Sequence, residues 1–461
     1  MRRCARLAAV AGLLAAGAVH GGENEDLDLI PGTGPAIPPP PATAAMSAVT
    51  GRIYGQDAFT AWSPRSSWAV APPPEGTVYW HNRASVDGIG HLAVADDLSF
   101  TLSDRFNGVA ENDIPIPSHG DFRNDLREAY VTWEIAPEIF LDGGRINERN
   151  GVALGFNPTD VFRASTQVDL ASLDPSVLRE DRLGVGMLRG QILLPGAAFR
   201  LAFAPKLGSP PRLTTGEEPS VDPQFDRTND TTRLMLAATA DLGGDVSPQA
   251  MLLVSDGQPR IGASISRAIG EAFVAYGEWL GGRGRDEVGQ AVRYGQQTGT
   301  FPAAFVNPEP AESFENDVAV GGSWTSESKL TINLEYHYHQ AGWDRQQWDR
   351  WFALGRSSVQ QSDLFWYVRE FAADRQDPPT RQELFLRLDQ ADALIRDLEL
   401  TAIAFVDIQD GSVTTQWGAA YYLSAAWTIS GFVSASVGAP RSDRGSLPQE
   451  GSAILQVTRY F

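Results

Sequence analysis

The sequence predicts an all-β fold: a transmembrane antiparallel β-barrel of about 16 strands, between roughly 14 and 18, with long and partly helical extracellular loops. Apolar and polar residues alternate from about residue 50 onwards, as in KLTINLEYHYH at residues 329–339. Aromatic residues often stand at the ends of such segments, for example Trp80, Trp279, Tyr336 and Tyr338. Alternation indicates strands with two different faces, and aromatic ends are typical of membrane interfaces.

The alternating segments are about 9–11 residues long, the length that a tilted strand needs to cross a bilayer. Clear examples are LSFTLSD at residues 98–104, AYVTWEI at 129–135 and AWTISGFVSAS at 426–436. Comparable segments lie at residues 51–60, 77–87, 138–146, 182–194, 197–205, 231–241, 247–255, 259–267, 270–280, 314–325, 328–339, 382–390, 396–407, 413–424 and 451–461. A soluble sandwich or propeller is the rival architecture. Segment length, aromatic ends and the contrast between short and long connections favour the membrane barrel.

The N-terminus has the layout of an export signal. MRRCARLAAVAGLLAAGA combines a basic start, a short apolar run and small residues at Ala16 and Ala18, which predicts a signal peptide over residues 1–18. Cleavage there removes Cys4, the single cysteine of the chain. Residues 19–48 contain four consecutive prolines and predict a Pro-rich flexible segment, either a spacer or a partner-binding motif. The barrel is then expected over residues 49–461.

Composition limits the classes of partner. The formal net charge is −20, which argues against nucleic acid. Expected partners are outer-membrane lipid and lipopolysaccharide, small solutes and, as one open arrangement, other copies of the chain in a homotrimer. No cofactor and no metal are expected. The predicted localisation is the outer membrane of a Gram-negative bacterium.

Two connections are too long to be turns. They run from Gly144 to Arg182 and from Gln340 to Arg381, and the second contains aromatic residues at spacings that suit short amphipathic helices. Both follow an odd-numbered strand if the N-terminus is periplasmic, so both are expected on the extracellular side. Loops of this length are usually functional or disordered. A loop folded into the barrel mouth would narrow a pore.

A family resemblance supports this interpretation. LREAYVTWEIAPEIFLDGGRINERNGVALGFNPTDVFR, residues 126–163, resembles a stretch of porin-like outer-membrane barrels in which an RE-Y-W strand precedes GR, a glycine and NP-D. The C-terminal strand that ends in Phe461 is similar to the assembly signal of bacterial outer-membrane proteins. The resemblance implies a channel whose constriction loop is shaped by Gly144, Arg145, Gly151, Asn157, Pro158 and Asp160. These families often have Trp and Gly shortly after GR, where this chain has residues 147–149, Asn-Glu-Arg. A plain structural turn at residues 157–160 is the alternative.

The polar faces supply the candidate pore-lining and constriction residues. Charged groups facing each other across a pore select solutes by charge, although ion pairs inside a filled barrel are an equal alternative for any one of them. His337 and His339 have a spacing that suits metal ligands, but without a third ligand they are better explained as polar residues of the lumen. The candidates are Glu128, Tyr130, Glu134, Asp142, Arg145, Asn157, Asp160, Arg163, Arg233, Glu335, His337 and His339.

The predicted function is passive diffusion of small solutes through an outer-membrane porin-like channel, with selectivity set by inward-folded loops and charged lumen residues. The chain is not expected to be an enzyme, because none of its histidines stands beside a serine nucleophile motif. Two alternatives stay open. One is a structural barrel that acts as a sleeve or anchor for a partner protein, and the other is an outer-membrane barrel hydrolase.

Overall fold

A computed structural model describes residues 49–71, 79–111, 122–168, 171–213, 222–243, 245–303 and 312–461. The predicted signal peptide over residues 1–18 and the Pro-rich segment over 19–48 lie outside these residues. Among the described residues, no helix has the length and apolar character needed to cross a membrane.

The described residues form one antiparallel sheet of 18 strands that closes on itself, since β1 pairs with both β2 and β18. Every strand pairs with its neighbours in chain order, as in an up-and-down barrel. The strands are β1 (Val49–Pro64), β2 (Trp80–Ala95), β3 (Leu98–Glu111), β4 (Phe122–Ala136), β5 (Ile139–Ile146), β6 (Val185–Leu194), β7 (Ala197–Ala204), β8 (Arg233–Ala240), β9 (Val246–Ser255), β10 (Gln258–Ile269), β11 (Phe273–Arg285), β12 (Glu312–Thr325), β13 (Leu330–His339), β14 (Gln382–Gln390), β15 (Leu398–Asp407), β16 (Val413–Ser424), β17 (Trp427–Val437) and β18 (Gln449–Tyr460).

The predicted fold class is confirmed, and the strand number stands at the upper end of the expected range. The described part of the chain has 18 strands where about 16 were favoured. Closure satisfies the backbone hydrogen bonds of every strand, which is the condition for a sheet to sit in hydrocarbon.

The two faces of the wall follow the predicted alternation. On β13, Leu334 is 54% exposed on the outside, whereas Glu335 and His337 are each 1% exposed. The same outward exposure recurs around the barrel, for example at Phe199, Ile265 and Val433. A continuous apolar exterior on a closed antiparallel barrel is the surface that lipid requires. The chain is therefore an outer-membrane β-barrel.

Long and short connections lie at opposite ends. Connections after even-numbered strands are short, such as residues 96–97, 137–138, 195–196 and 425–426, whereas those after odd-numbered strands include residues 147–184, 205–232, 286–311 and 340–381. Outer-membrane barrels have short periplasmic turns and longer extracellular loops. The long connections are therefore extracellular, as predicted. They carry helices α1 (Pro175–Glu180), α2 (Phe225–Thr228), α3 (Glu287–Gln297), α4 (Arg345–Gly355) and α5 (Val359–Arg375).

The helices of residues 340–381 form an aromatic cap. Asp344 begins α4 with a capping box, in which its side chain accepts from the Gln347 amide and the Gln347 side chain accepts from the Asp344 amide. Trp343 and Trp351 stack with ring centroids 5.4 Å apart, and both are buried. Burial of this many aromatic rings holds the extracellular helices together without a disulfide. The helices predicted for this connection are confirmed. The amphipathic pattern holds for α4, whereas α5 is buried on several faces and is not amphipathic.

Candidate functional site in the barrel lumen

Residues 147–184 are here called the inward loop; the part of it that the structure describes, 147–168 and 171–184, leaves the end of β5 and folds into the barrel. Their hydrogen bonds reach Glu278 on β11, Glu335 on β13, Arg387 on β14 and Gln416 on β16. These strands lie far around the wall from β5 and β6, where the loop begins and ends. The inward loop therefore crosses the lumen.

One anchor of the inward loop is Glu278. Its carboxylate accepts from the backbone amides of Ala153, at 2.8 Å, and Thr159, at 3.2 Å, and also from the Thr159 hydroxyl. Glu278 is buried. A buried carboxylate is stable only when its oxygens are satisfied by donors, and here the loop backbone supplies them. Wall and loop therefore hold each other in place.

A second anchor is Glu335, in the middle of β13. It accepts from the amides of Leu154, at 2.7 Å, and Gly155, at 2.8 Å, and from the Tyr276 hydroxyl at 2.7 Å. His337 Nε2 lies 2.8 Å from the other side of this carboxylate. His337 and Glu335 point inward as predicted, but the loop covers them. They do not line open water, which corrects the expected exposure of this face.

Inside the loop, an ion pair and a turn fix the backbone. Arg182 donates to both oxygens of Asp160, at 2.8 and 3.1 Å. The Asn157 side chain accepts from the Asp160 amide at 3.1 Å and donates to the Ala153 carbonyl at 3.1 Å. The turn expected at residues 157–160 is thus present. It lies inside the loop that crosses the lumen, so the turn and constriction hypotheses describe the same segment.

Near β5 and β6, the inward loop places a carboxylate between two arginines. Glu148 pairs with Arg189 at 2.7 Å and with Arg200. Arg189 also pairs with Asp142 at 2.8 Å. Burial by itself raises the pKa of Glu148, but the charges of Arg200 and Arg189 and their hydrogen bonds outweigh burial and bring this pKa below its usual value. The predicted lumen residue Asp142 belongs to this network.

The far end of the loop contacts two further parts of the wall. Asp174 accepts from Arg387 at 2.8 Å. Asp181 pairs with Arg105 at 2.7 Å and with Arg127. Because each of these charges has a partner of opposite sign close by, the field that they project into the lumen is short in range.

Part of the inner wall is apolar, which the alternation did not predict. Inward-facing side chains of β5 to β9 and β11 form a buried apolar cluster with the inward-loop residue Phe162. The cluster consists of Ile146, Phe162, Val185, Met187, Ala202, Ala204, Met235, Ala237, Met251, Leu253 and Leu280. Runs such as LMLAA in β8 and AMLLV in β9 are apolar on both faces. In the sequence, these runs are the sign that the inner face is apolar here. The loop packs on this side of the lumen as on a protein core.

Several predicted residues meet at the inward loop. Glu128 accepts from the Asn147 amide at 3.1 Å, and Tyr130 packs against the apolar cluster. Arg163 donates to the Asn157 carbonyl at 2.5 Å. Arg233 lies over the Phe162 ring at 5.0 Å. Glu128, Tyr130 and Arg233 therefore contact the loop or the cluster that it packs on, and Arg163 belongs to the loop itself.

Two predicted residues differ from this group, since Glu134 lies away from the inward loop and Arg145 contacts only its last residue, Gly184. Glu134 is exposed near the short turn at residues 137–138, away from the loop. Arg145 has the strand parity of the outward-facing Leu141. Its guanidinium donates to the Gly184 carbonyl at 2.9 Å and to the Pro223 carbonyl. It therefore ties the connection 205–232 to the top of the wall.

The two histidines of β13 occupy separate carboxylate environments. His337 lies between Glu335, at 2.8 Å, and Glu383, at 3.3 Å. His339 lies between Asp317, at 2.7 Å, and Glu287, at 3.2 Å. The two histidines therefore do not face a common site as two ligands of one metal ion would.

The opposite part of the wall keeps its inner face partly exposed. On β17, β18 and β1, here called the polar wall, the inward residues in the middle of the strands include serine and glutamine side chains without charge. Ser434 and Ser452 lie 2.5 Å apart across the β17–β18 pair and are half-buried, as are Gln456 and Gln56. Solvent therefore reaches this part of the lumen.

The fold is shared with solved structures of low sequence identity. OccAB3 of Acinetobacter baumannii superimposes with a TM-score of 0.52 at 7% identity, over 90% of this chain and 99% of that chain. OccAB1 of the same species gives 0.51 at 8% identity, over 91% and 98%. OccK8 (OprE) of Pseudomonas aeruginosa gives 0.51 at 9% identity, over 90% and 98%. These similarities establish a common barrel fold.

No protein-family model matches the sequence, and no curated protein matches it.

Proposed function

We propose that this barrel is a passive diffusion channel for small solutes, with the path running between the inward loop and the polar wall. The observation that carries the proposal is the contrast between two inward faces of the same barrel. Glu335 and His337 are covered by the loop, whereas Ser434, Ser452 and Gln456 keep partial exposure. Hydroxyl and amide side chains offer hydrogen bonds to passing solutes without strong charge.

The charges of the inward loop border this path. Asp174 with Arg387 and Asp181 with Arg105 stand where the loop meets the wall. Because they are paired, they give a local dipole and little net charge, which fits a channel with weak ion selectivity. Passage requires no chemical step, so the proposal includes no catalytic activity. A sleeve around a partner protein would need the space that the inward loop occupies, and this disfavours that alternative.

Single-channel recording in planar bilayers tests the proposal. Ser434→Tyr adds a large side chain to the inner face of β17, and the expected result is a clear loss of conductance per channel. Val433→Tyr is the matched control, because Val433 is the adjacent residue and is 58% exposed on the lipid side. Equal conductance of the two variants would place the path elsewhere, and absence of any wild-type conductance would refute the channel.

Partners beyond the solutes belong to the same proposal. Lipid and lipopolysaccharide would cover the apolar exterior. Association as a homotrimer is the arrangement to test, by chemical cross-linking of the purified barrel in detergent.

A further inference from the structure

Three potential ligand side chains meet at the extracellular end of β13. They are His339 at the end of the strand, Glu287 at the start of α3 and Asp377 just after α5. One donor atom from each lies within 4.8 Å of the other two. Glu287 and His339 are buried. Residues from three separate segments therefore converge on one small volume.

The orientation of His339 is fixed from behind. Its Nδ1 lies 2.7 Å from Asp317 Oδ1, and Asp317 is itself held by Arg260 at 2.8 Å. Its Nε2 faces Glu287 Oε2 at 3.2 Å. A carboxylate behind the imidazole is the arrangement that orients metal-binding histidines, because it fixes the tautomer and raises the basicity of the other nitrogen.

The second observation concerns Glu287. Its Oε1 atom is buried and has no hydrogen-bond partner among the described residues. A buried carboxylate oxygen without a donor is costly. A cation at this point would satisfy it.

We propose that Glu287, His339 and Asp377 form a binding site for a divalent transition-metal ion of the Zn²⁺ class. One imidazole nitrogen with two carboxylates is a borderline ligand set that suits such an ion better than Ca²⁺ or Mg²⁺, which prefer oxygen alone. Ligand atoms around tetrahedral Zn²⁺ lie about 3.3 Å apart, so the cluster must contract by a small side-chain rotation. Water completes the fourth position.

The neighbouring charges are compatible with a cation. Arg163 donates to one oxygen of Asp377 at 2.5 Å, and a carboxylate has a second oxygen for an ion. Arg260 is paired with Asp317. The two carboxylates of the site offset both charges of the ion.

His337 provides an internal comparison. It too lies between two carboxylates, but those of Glu335 and Glu383 are already used by other donors. Glu335 accepts from the inward loop and from Tyr276, and Glu383 accepts from Arg444. The site at His339 differs because Glu287 Oε1 is buried and no described residue donates to it.

An ion at this site would join parts that the barrel wall does not connect. Glu287 belongs to the connection 286–311, and Asp377 to the connection 340–381 that carries the aromatic cap. Binding would therefore hold two extracellular connections to the top of β13. This role does not depend on solute passage.

Isothermal titration of the purified, metal-stripped full-length barrel with Zn²⁺ tests the proposal. The expected result is one ion per chain, bound more tightly than Ca²⁺. Glu287→Gln and Asp377→Asn should each weaken binding at least about tenfold, and Asp317→Asn by about 10–100-fold through loss of the orienting carboxylate. His337→Gln is the matched control and should bind Zn²⁺ like the wild type.

Folding is checked for each variant by heat-modifiable migration on gels, so that loss of binding is read only from folded barrels. As a second readout, Zn²⁺ should raise the thermal unfolding midpoint of the wild type and of His337→Gln, and not that of Glu287→Gln. No binding by the wild type would overturn the site. So would equal binding by all variants, or equal affinity for Ca²⁺ and Zn²⁺.

Discussion

The guanidinium of Arg182 donates to both carboxylate oxygens of Asp160, at 2.8 and 3.1 Å, and both side chains are buried. The two residues stand at the middle and near the end of the inward loop. Their pairing connects two distant parts of the loop. It therefore fixes the conformation in which the loop contacts the wall. The shape of the inward loop thus depends on an ion pair inside it as well as on its contacts with the wall.

Asp160→Asn should loosen the inward loop. Removing one partner of a buried ion pair leaves the other charge without compensation and costs about 3–5 kcal/mol. We expect faster proteolytic cleavage within residues 147–184 and noisier single-channel current, measured by limited proteolysis and by bilayer recording.

Glu180→Gln serves as the control, because Glu180 pairs with Arg149 at 3.6 Å on an exposed surface. Exposed pairs contribute little to stability. If Glu180→Gln and Asp160→Asn accelerated cleavage equally, the buried pair of Asp160 and Arg182 would not be responsible for the stability of the loop.

Glu335→Gln should detach the loop from β13. The amides of Leu154 and Gly155 donate to different oxygens of Glu335, and the glutamine side chain keeps only one of these two acceptors. One loop amide therefore loses its acceptor and faces an N–H donor instead. We expect a larger mean conductance and faster loop cleavage, while heat-modifiable migration on gels still shows a folded barrel.

Leu334→Ala is the matched change on the lipid side of the same strand. It removes apolar contact with the membrane and leaves the lumen untouched. Unchanged conductance in Glu335→Gln, or the same increase in Leu334→Ala, would contradict an anchoring role for Glu335.

The face on which each side chain lies could be predicted from the sequence, because a period of two fixes which side chains share a face. The inward position of Glu335 and His337 and the outward position of Leu334 follow from that alone. The alternating segments of the sequence correspond one to one with the 18 strands. The prediction of about 16 strands is therefore lower than the number of segments that alternate.

What covers an inward face could not be predicted. Local alternation carries no information about a loop that arrives from distant strands, so the pattern alone predicts that His337 faces water. Arg145 shows a related difficulty. Its contacts with Pro223 and Thr228 of the connection 205–232 are long-range, and the GR motif gives no sign of them. Glu287 and Asp377, which lie next to His339, are equally remote from it in sequence.

Stability should depend on pH through Glu148. Its folded pKa lies below the ordinary value of 4.5. Its pairing with Arg189 and Arg200 is therefore fully present above pH 4.5 and is lost as the pH falls through the lower, folded value. We expect the wild type to unfold at a higher temperature than Glu148→Gln near neutral pH, with the difference shrinking in acid. Thermal unfolding of both proteins from about pH 7 to about pH 3 measures this. If the difference in unfolding temperature grew in acid, the stabilisation by ionised Glu148 would be contradicted.

Gly151→Ala should disrupt the inward loop more than its size suggests. Gly151 has φ of +86°, which side chains with a Cβ atom rarely adopt, and an added Cβ would overlap Asn157 Oδ1 and Glu278 Oε2. Either the turn at Asn157 or the anchor at Glu278 must shift. We expect increased loop cleavage and altered conductance. Gly190→Ala is the control, because a Cβ on this β6 glycine meets nothing within 4 Å. A loop that tolerates both substitutions alike would show that the close approach at Gly151 does not set its position.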